Sequence, residues 1–105
     1  MNVTVQYFDG CPNWQRAAEL VRQALRAAGQ PPSALTLQAM HTPEEAERVG
    51  LRGSPTVLID GTDPFAEQTA PVGLSCRVLP TPDGLAGAPT LEQLTAALQA
   101  GQRES

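Results

Sequence analysis

Near residue 10 the chain changes its hydrophobic period, and that change constrains the fold more than any other feature. Val3 to Phe8 carries β-branched and aromatic residues with a partial period of two, which reads as a strand. Asp9-Gly10 interrupts it. From Pro12 onward Trp14, Ala17, Ala18, Val21, Ala24, Leu25 and Ala28 recur at spacings of three and four, which places them on one helical stripe. Gln15, Arg16, Glu19, Arg22, Gln23 and Arg26 take the opposite face. Pro12 suits the first helical turn, where its missing N–H would have no partner anyway. Gly29 fits the C-terminal cap, and Pro31-Pro32 forbids continuation.

The rest of the chain extends this pattern. Ala34 to Met40 reads as a second strand. Thr42-Pro43-Glu44-Glu45 has the form of a capping box and opens a short helix to about Val49, stopped at Gly50. Thr56 to Ile59 is continuously apolar enough for a buried central strand. Asp60-Gly61 is a turn and residues 62–72 a loop. Gly73 to Leu79 reads as a fourth strand, followed by a loop from Pro80 to Pro89. Thr90-Leu91-Glu92-Gln93 repeats the capping pattern, and Leu91, Leu94, Ala97 and Leu98 give the last helix its apolar face. Gly101 ends it, leaving 102–105 as a frayed tail. The order β-α-β-α-β-β-α predicts an α/β fold with a four-stranded mixed sheet and three helices. The first two strands should be parallel with a right-handed crossover, and the last two antiparallel. Residues 1–101 make one domain, since 105 residues leave no room for a second.

Composition removes several function classes. The net charge of −4 argues against nucleic-acid binding, which needs a basic face. All seven positive residues are arginine, so lysine chemistry is absent: no Schiff base, no P-loop. Two cysteines and one histidine cannot complete an all-Cys/His tetrahedral metal site. No metal and no cofactor is expected. No segment is apolar for long enough to span a membrane. The first residues lack the basic and apolar regions of a signal peptide, so a cytoplasmic location is expected. Structural disulfides are rare there, which leaves the cysteines free, redox-active or simply buried.

Cys11 is the strongest chemical signal. It falls just past a strand and at the N-cap of the first helix, where unpaired N–H groups and about half a positive charge favour a thiolate. Thiolate is the nucleophile of disulfide exchange and of peroxide attack. The plain alternative is a small capping residue. Gly53-Ser54-Pro55-Thr56 is the second signal. Pro55 must open its strand, because proline cannot sit inside the ladder. A cis Ser54-Pro55 bond would turn the Ser54 backbone toward the crevice beyond the first strand, where an extended peptide could pair with it. An ordinary trans proline is the alternative.

The element order, the Cys11-Pro12 dipeptide at the first helix and the Gly-Ser-Pro-Thr before the third strand together resemble the thioredoxin superfamily, over nearly the whole chain. Tyr7-Phe8-Asp9-Gly10-Cys11-Pro12-Asn13-Trp14, with Ser75-Cys76-Arg77 later, is similar to a group of small bacterial thioredoxin-like proteins in which selenocysteine can occupy the cysteine position. The resemblance implies a thioredoxin-like sheet ordered 2-1-3-4. It implies a nucleophile at Cys11, a cis-proline at Pro55, and a partner-binding surface formed by Pro12, Trp14, Ser54 and Pro55. Its implied partners are a protein disulfide or a low-molecular-weight thiol.

The departure is as informative as the match. Where the superfamily has Cys-x-x-Cys, this chain has Trp14 in the last position, so no resolving thiol follows Cys11 locally. Trp14 either packs on the sheet or walls the site. Cys76 is the candidate resolving thiol within the chain. In the predicted sheet it lies two strand spacings from the first strand, roughly 10 Å away, beyond the roughly 7 Å limit between disulfide Cα atoms. Period two puts it on one face with Leu74 and Val78, which suits a buried small hydrophobe. An external thiol is then the expected resolver. The same distance sets soft-metal capture by the two thiols last. Asp9 reads as a turn residue, His41 as a loop histidine, and Arg16 as too far around its helix to meet Cys11. Asp60, Asp63 and Glu67 read as solvated charges. Two functions follow: a thiol-dependent redox protein working through Cys11, or a redox-inactive module that binds a peptide or small ligand beside Pro55.

Overall fold

The opening periodicity is realised as a βαβ unit: strand β1 (Val3–Tyr7), helix α1 (Asn13–Ala27), a 3-10 turn at Pro32–Ala34, and strand β2 (Leu35–Ala39). Then come α2 (Pro43–Val49), β3 (Arg52–Ser54), β4 (Thr56–Ile59), β5 (Gly73–Cys76), β6 (Leu79–Thr81), β7 (Gly84–Ala86) and α3 (Leu91–Glu104). This is a computed structural model, and it describes residues 1–8, 10–11, 13–65 and 73–104. Among these, no helix is long and apolar enough to cross a membrane.

β1 lies at the centre of a mixed sheet ordered β2-β1-β4. It runs parallel to β2, from Val3 opposite Leu35 to Tyr7 opposite Ala39, and antiparallel to β4, from Val3 opposite Ile59 to Gln6 opposite Thr56. Val3 and Val5 share one face by the strand's period of two. They pack with Val57 and Ile59 of β4, Val21, Ala24 and Leu25 of α1, and Leu94 and Leu98 of α3. Each fully buried valine or leucine among these contributes about 1.5–3 kcal/mol. A smaller cluster of Met40, Ala46 and Leu51 seats α2.

Both capping expectations concern real contacts. Thr90 Oγ1 accepts from the Gln93 N–H at 3.1 Å, and Gln93 Oε1 accepts from the Thr90 N–H at 2.9 Å. At α2, Thr42 Oγ1 accepts from the Glu45 N–H at 3.1 Å, but Glu45 Oε2 reaches back one residue further, to the His41 N–H at 3.2 Å. α2 stops at Gly50, as expected.

Other expectations are corrected. The central sheet has three strands, not four. The Gly73 strand does not join Thr56–Ile59 in an antiparallel pair. It ends at Cys76 and pairs in parallel with β3, Arg52 opposite Gly73 and Ser54 opposite Cys76. At the end of β4, the Ile59 N–H donates to Thr62 O at 2.8 Å after the Asp60-Gly61 turn. β3 instead offers carbonyls to β5 along its edge: Gly73 N–H donates to Leu51 O at 2.9 Å and Arg77 N–H to Ser54 O at 2.9 Å. β3 is too short to show a period. The loop from Pro80 to Pro89 contains the hairpin β6–β7. α3 does not end at Gly101 but runs through it, and a Cβ at that position would lie 3.4 Å from Ile59 and 3.6 Å from Met1.

The charges of the second half are also engaged. Asp60 Oδ1 accepts from the Asn2 N–H at 2.8 Å. Arg77, buried at 7% exposure, pairs through Nη1 with Asp63 Oδ2 at 2.9 Å and donates through Nη2 to Phe65 O. Asp63 Oδ1 accepts from the Phe65 N–H at 2.8 Å and closes the ring. Glu67 lies outside the described residues.

Two substitutions test how β5 is held. Gly53 has φ +112°, and a Cβ there would lie 2.9 Å from Arg77 Cβ and 3.0 Å from its Cα. Gly53→Ala is expected to lower stability by about 1–3 kcal/mol in urea unfolding; an unchanged midpoint would contradict the close approach. Asp63→Ala leaves a buried guanidinium without its anion and should cost about 3–5 kcal/mol, more than Arg77→Met, which removes the charge itself. Equal losses would count against a buried pair.

Candidate active site

The site is built where β1 ends and β3 passes beside it. The Phe8 N–H donates to Ser54 Oγ at 3.2 Å, and Phe8 O accepts from the Cys11 N–H at 3.2 Å. These bonds set Cys11 just ahead of α1, which begins at Asn13. Asp9 and Pro12 lie outside the described residues. Cys11 is fully buried, and its S–H donates to Ser54 O at 3.4 Å. The Asn13 Nδ2 amide lies 4.0 Å from Cys11 Sγ as a donor. The helix N-terminus adds its partial positive charge.

The same Ser54 carbonyl accepts from the Arg77 N–H, and Ser54 stands opposite Cys76 in the β3–β5 register. Cys76 is therefore beside Cys11, not two strand spacings away. The predicted separation assumed that both strands belonged to one sheet. Cys76 is exposed, not a buried passenger, because alternation along the strand turns Arg77 inward toward Asp63. Neither thiol is in a disulfide.

The two thiols interact. Cys76 ionises above the ordinary thiol range. Its hydrogen bond with Cys11 is the largest cause, followed by desolvation and then by charge repulsion from Cys11. A second negative charge beside another is disfavoured, so the Cys76 thiol holds its proton to higher pH than an isolated cysteine does.

The remaining candidates divide. Trp14 is half-buried and stacks on Tyr7, with ring centroids 4.0 Å apart and planes at 17°, so it packs on the sheet. The Ser54–Pro55 bond is cis. Ser54 and Pro55 are both fully buried, and the Ser54 carbonyl is already taken by β5 and Cys11. Arg16 does not meet the thiols. It lines a groove of about 370 Å³ with Leu20 on α1, Thr81 and Leu85 on the hairpin, and Leu91 on α3. His41 makes only its backbone bond to Glu45 among the bonds described above. Sequence reasoning missed Asn13 and Arg77. Arg77 did carry a signal: it is the one arginine between Arg52 and Arg103, and it directly follows a cysteine.

Because Cys11 is the leading cause of the raised Cys76 ionisation, Cys11→Ser should bring Cys76 back toward the ordinary thiol range. Its thiolate fraction at neutral pH then rises, and alkylation of Cys76 should run severalfold faster, since thiolate gained outweighs intrinsic nucleophilicity lost. Timed iodoacetamide labelling with peptide mass mapping measures this; an unchanged or slower rate would mean that the sulfurs do not interact. No protein-family model matches the chain, and no curated protein and no solved structure was found similar to it, so its functional reading rests on the geometry of these two thiols.

Proposed function

We propose that this chain is a thioredoxin-like thiol–disulfide exchange protein whose working couple is Cys11 and Cys76. One observation carries the reading: the Cys11 thiol bonds to Ser54, and Ser54 stands opposite the exposed Cys76 in the β3–β5 register. The βαβ opening, the antiparallel β4 and the cysteine at the head of the first helix support the thioredoxin-like part. Cys11 keeps the nucleophile's role. Being buried, it acts on a sulfur already beside it, and Cys76 supplies that sulfur.

In the reducing direction an external disulfide exchanges onto Cys76. Cys76 gives up its proton to solvent and attacks one sulfur of the external disulfide, whose S–S bond breaks, and the other half leaves as a thiolate. The Cys11 thiolate then attacks Cys76 Sγ. The mixed disulfide breaks, its electron pair goes to the second external sulfur, and the Cys11–Cys76 bond forms. The external disulfide gains two electrons and the protein pair loses two. Two external thiolates restore the dithiol by the reverse steps. A protein disulfide or a low-molecular-weight disulfide fills the external role. The rival reading, a binding module without redox chemistry, has less support because the Ser54 carbonyl that a peptide would pair with already accepts from Arg77 and Cys11.

The test is oxidation of the full chain by a small aromatic disulfide, read by mass spectrometry. The expected product has lost two hydrogens and yields one cross-linked Cys11–Cys76 peptide. Cys11→Ser should instead accumulate a stable mixed disulfide on Cys76. If the parent also stops at a mixed disulfide, with no cross-linked peptide, the two-thiol couple is wrong and the binding module is preferred.

A further inference from the structure

Asn13 opens α1 beside the thiols, half-buried, with its amide nitrogen turned to Cys11 Sγ at 4.0 Å. That nitrogen carries only donors, and a donor to sulfur favours the thiolate over the thiol. A bond to the charged form is also the stronger one. What keeps the amide in place comes from the other side. Gly87 follows the β6–β7 hairpin and lies against Asn13. A Cβ at position 87 would fall 2.0 Å from Asn13 Nδ2, 2.6 Å from its Cγ and 3.3 Å from its Cβ. The Gly87 backbone is not in the left-handed region, so space and not conformation excludes a side chain here.

We infer that Asn13 is a positioning residue that stabilises the Cys11 thiolate, and that Gly87 acts through it by leaving room for its amide. The inference rests on the exchange reading of Cys11, and it adds the groups that tune that sulfur. Among the described residues, Cys76, from β5, is the titratable group that meets Cys11. The Arg77 guanidinium, on the adjacent residue, is turned away to Asp63 and Phe65.

The experiment removes Cys76 first, with Cys76→Ser, so that one thiol titrates alone. The ultraviolet absorbance of the Cys11 thiolate is then followed against pH in the full chain. Asn13→Ala should move the midpoint up by about half a unit, and Asn13→Asp, which puts an anionic acceptor where the donor was, by about one unit. Gly87→Ala should move it the same way as Asn13→Ala, and should add nothing when Asn13 is already alanine. A merely structural Asn13 would lower the melting temperature and leave the midpoint in place, and that result overturns the inference. Equal shifts from Gly87→Ala in both backgrounds overturn the part played by Gly87. If Gly87→Ala does not fold, the Asn13 variants decide alone. The titration involves no disulfide exchange, so its failure and the failure of the exchange reading are separate results.

Discussion

One carbonyl oxygen, that of Ser54, accepts from the Arg77 N–H and from the Cys11 S–H, and the site depends on that shared acceptor. A buried carbonyl has two lone pairs to satisfy, and here each is used by a different segment of the chain. The Ser54 hydroxyl adds a third tie, to the Phe8 N–H at the end of β1. Through one residue the end of β1, the lead into α1 and the strand β5 are fixed relative to one another. The proximity of Cys11 and Cys76 is a consequence: one is bonded to the Ser54 carbonyl, and the other directly precedes the residue that is.

β5 needs more than this to stay. A short two-stranded pair is marginal in water by itself. The additional hold comes from Arg77, whose buried guanidinium is satisfied by Asp63 and the Phe65 carbonyl. Removing either partner would leave a buried charge or acceptor unmatched, which is why the strand and the loop at Asp63 form one unit. Gly53 lets that strand come close, where any side chain would meet Arg77. Alternation then does the rest: with Arg77 turned inward, Cys76 is turned outward.

The parts of this arrangement that depend on local pattern were legible. The switch from period two to period three-and-four near Cys11 marks β1 and α1, and Thr42 and Thr90 mark the starts of α2 and α3. The Cys11 side of the site follows from that pattern alone. The Cys76 side does not. Arg52-Gly53-Ser54 has no period to detect, so β3 was invisible, and β5 was assigned to the nearest visible strand. Sequential strands pair often enough to make that a natural assignment. It moved Cys76 away from Cys11, and it chose the wrong face because Leu74 and Val78 look like core residues when Arg77 has no visible partner. Asp63 is that partner, 14 residues earlier, and nothing in its own surroundings distinguishes it from a solvated charge.

The two sulfurs are unlike in a way that gives the proposed couple a direction. The exposed sulfur of Cys76 is the one an external thiolate can reach in the disulfide form. The electron pair of the broken bond then falls on Cys11, where the helix N-terminus and the Asn13 amide are arranged around it. Each donor that favours the leaving thiolate also favours the dithiol over the disulfide, as a stabilised reduced form makes a stronger oxidant. A chain with tryptophan where a second local cysteine would stand therefore need not lose a resolving thiol. In the proposed couple, β5 supplies one from 65 residues further along the chain, and the charge is left at the head of the first helix.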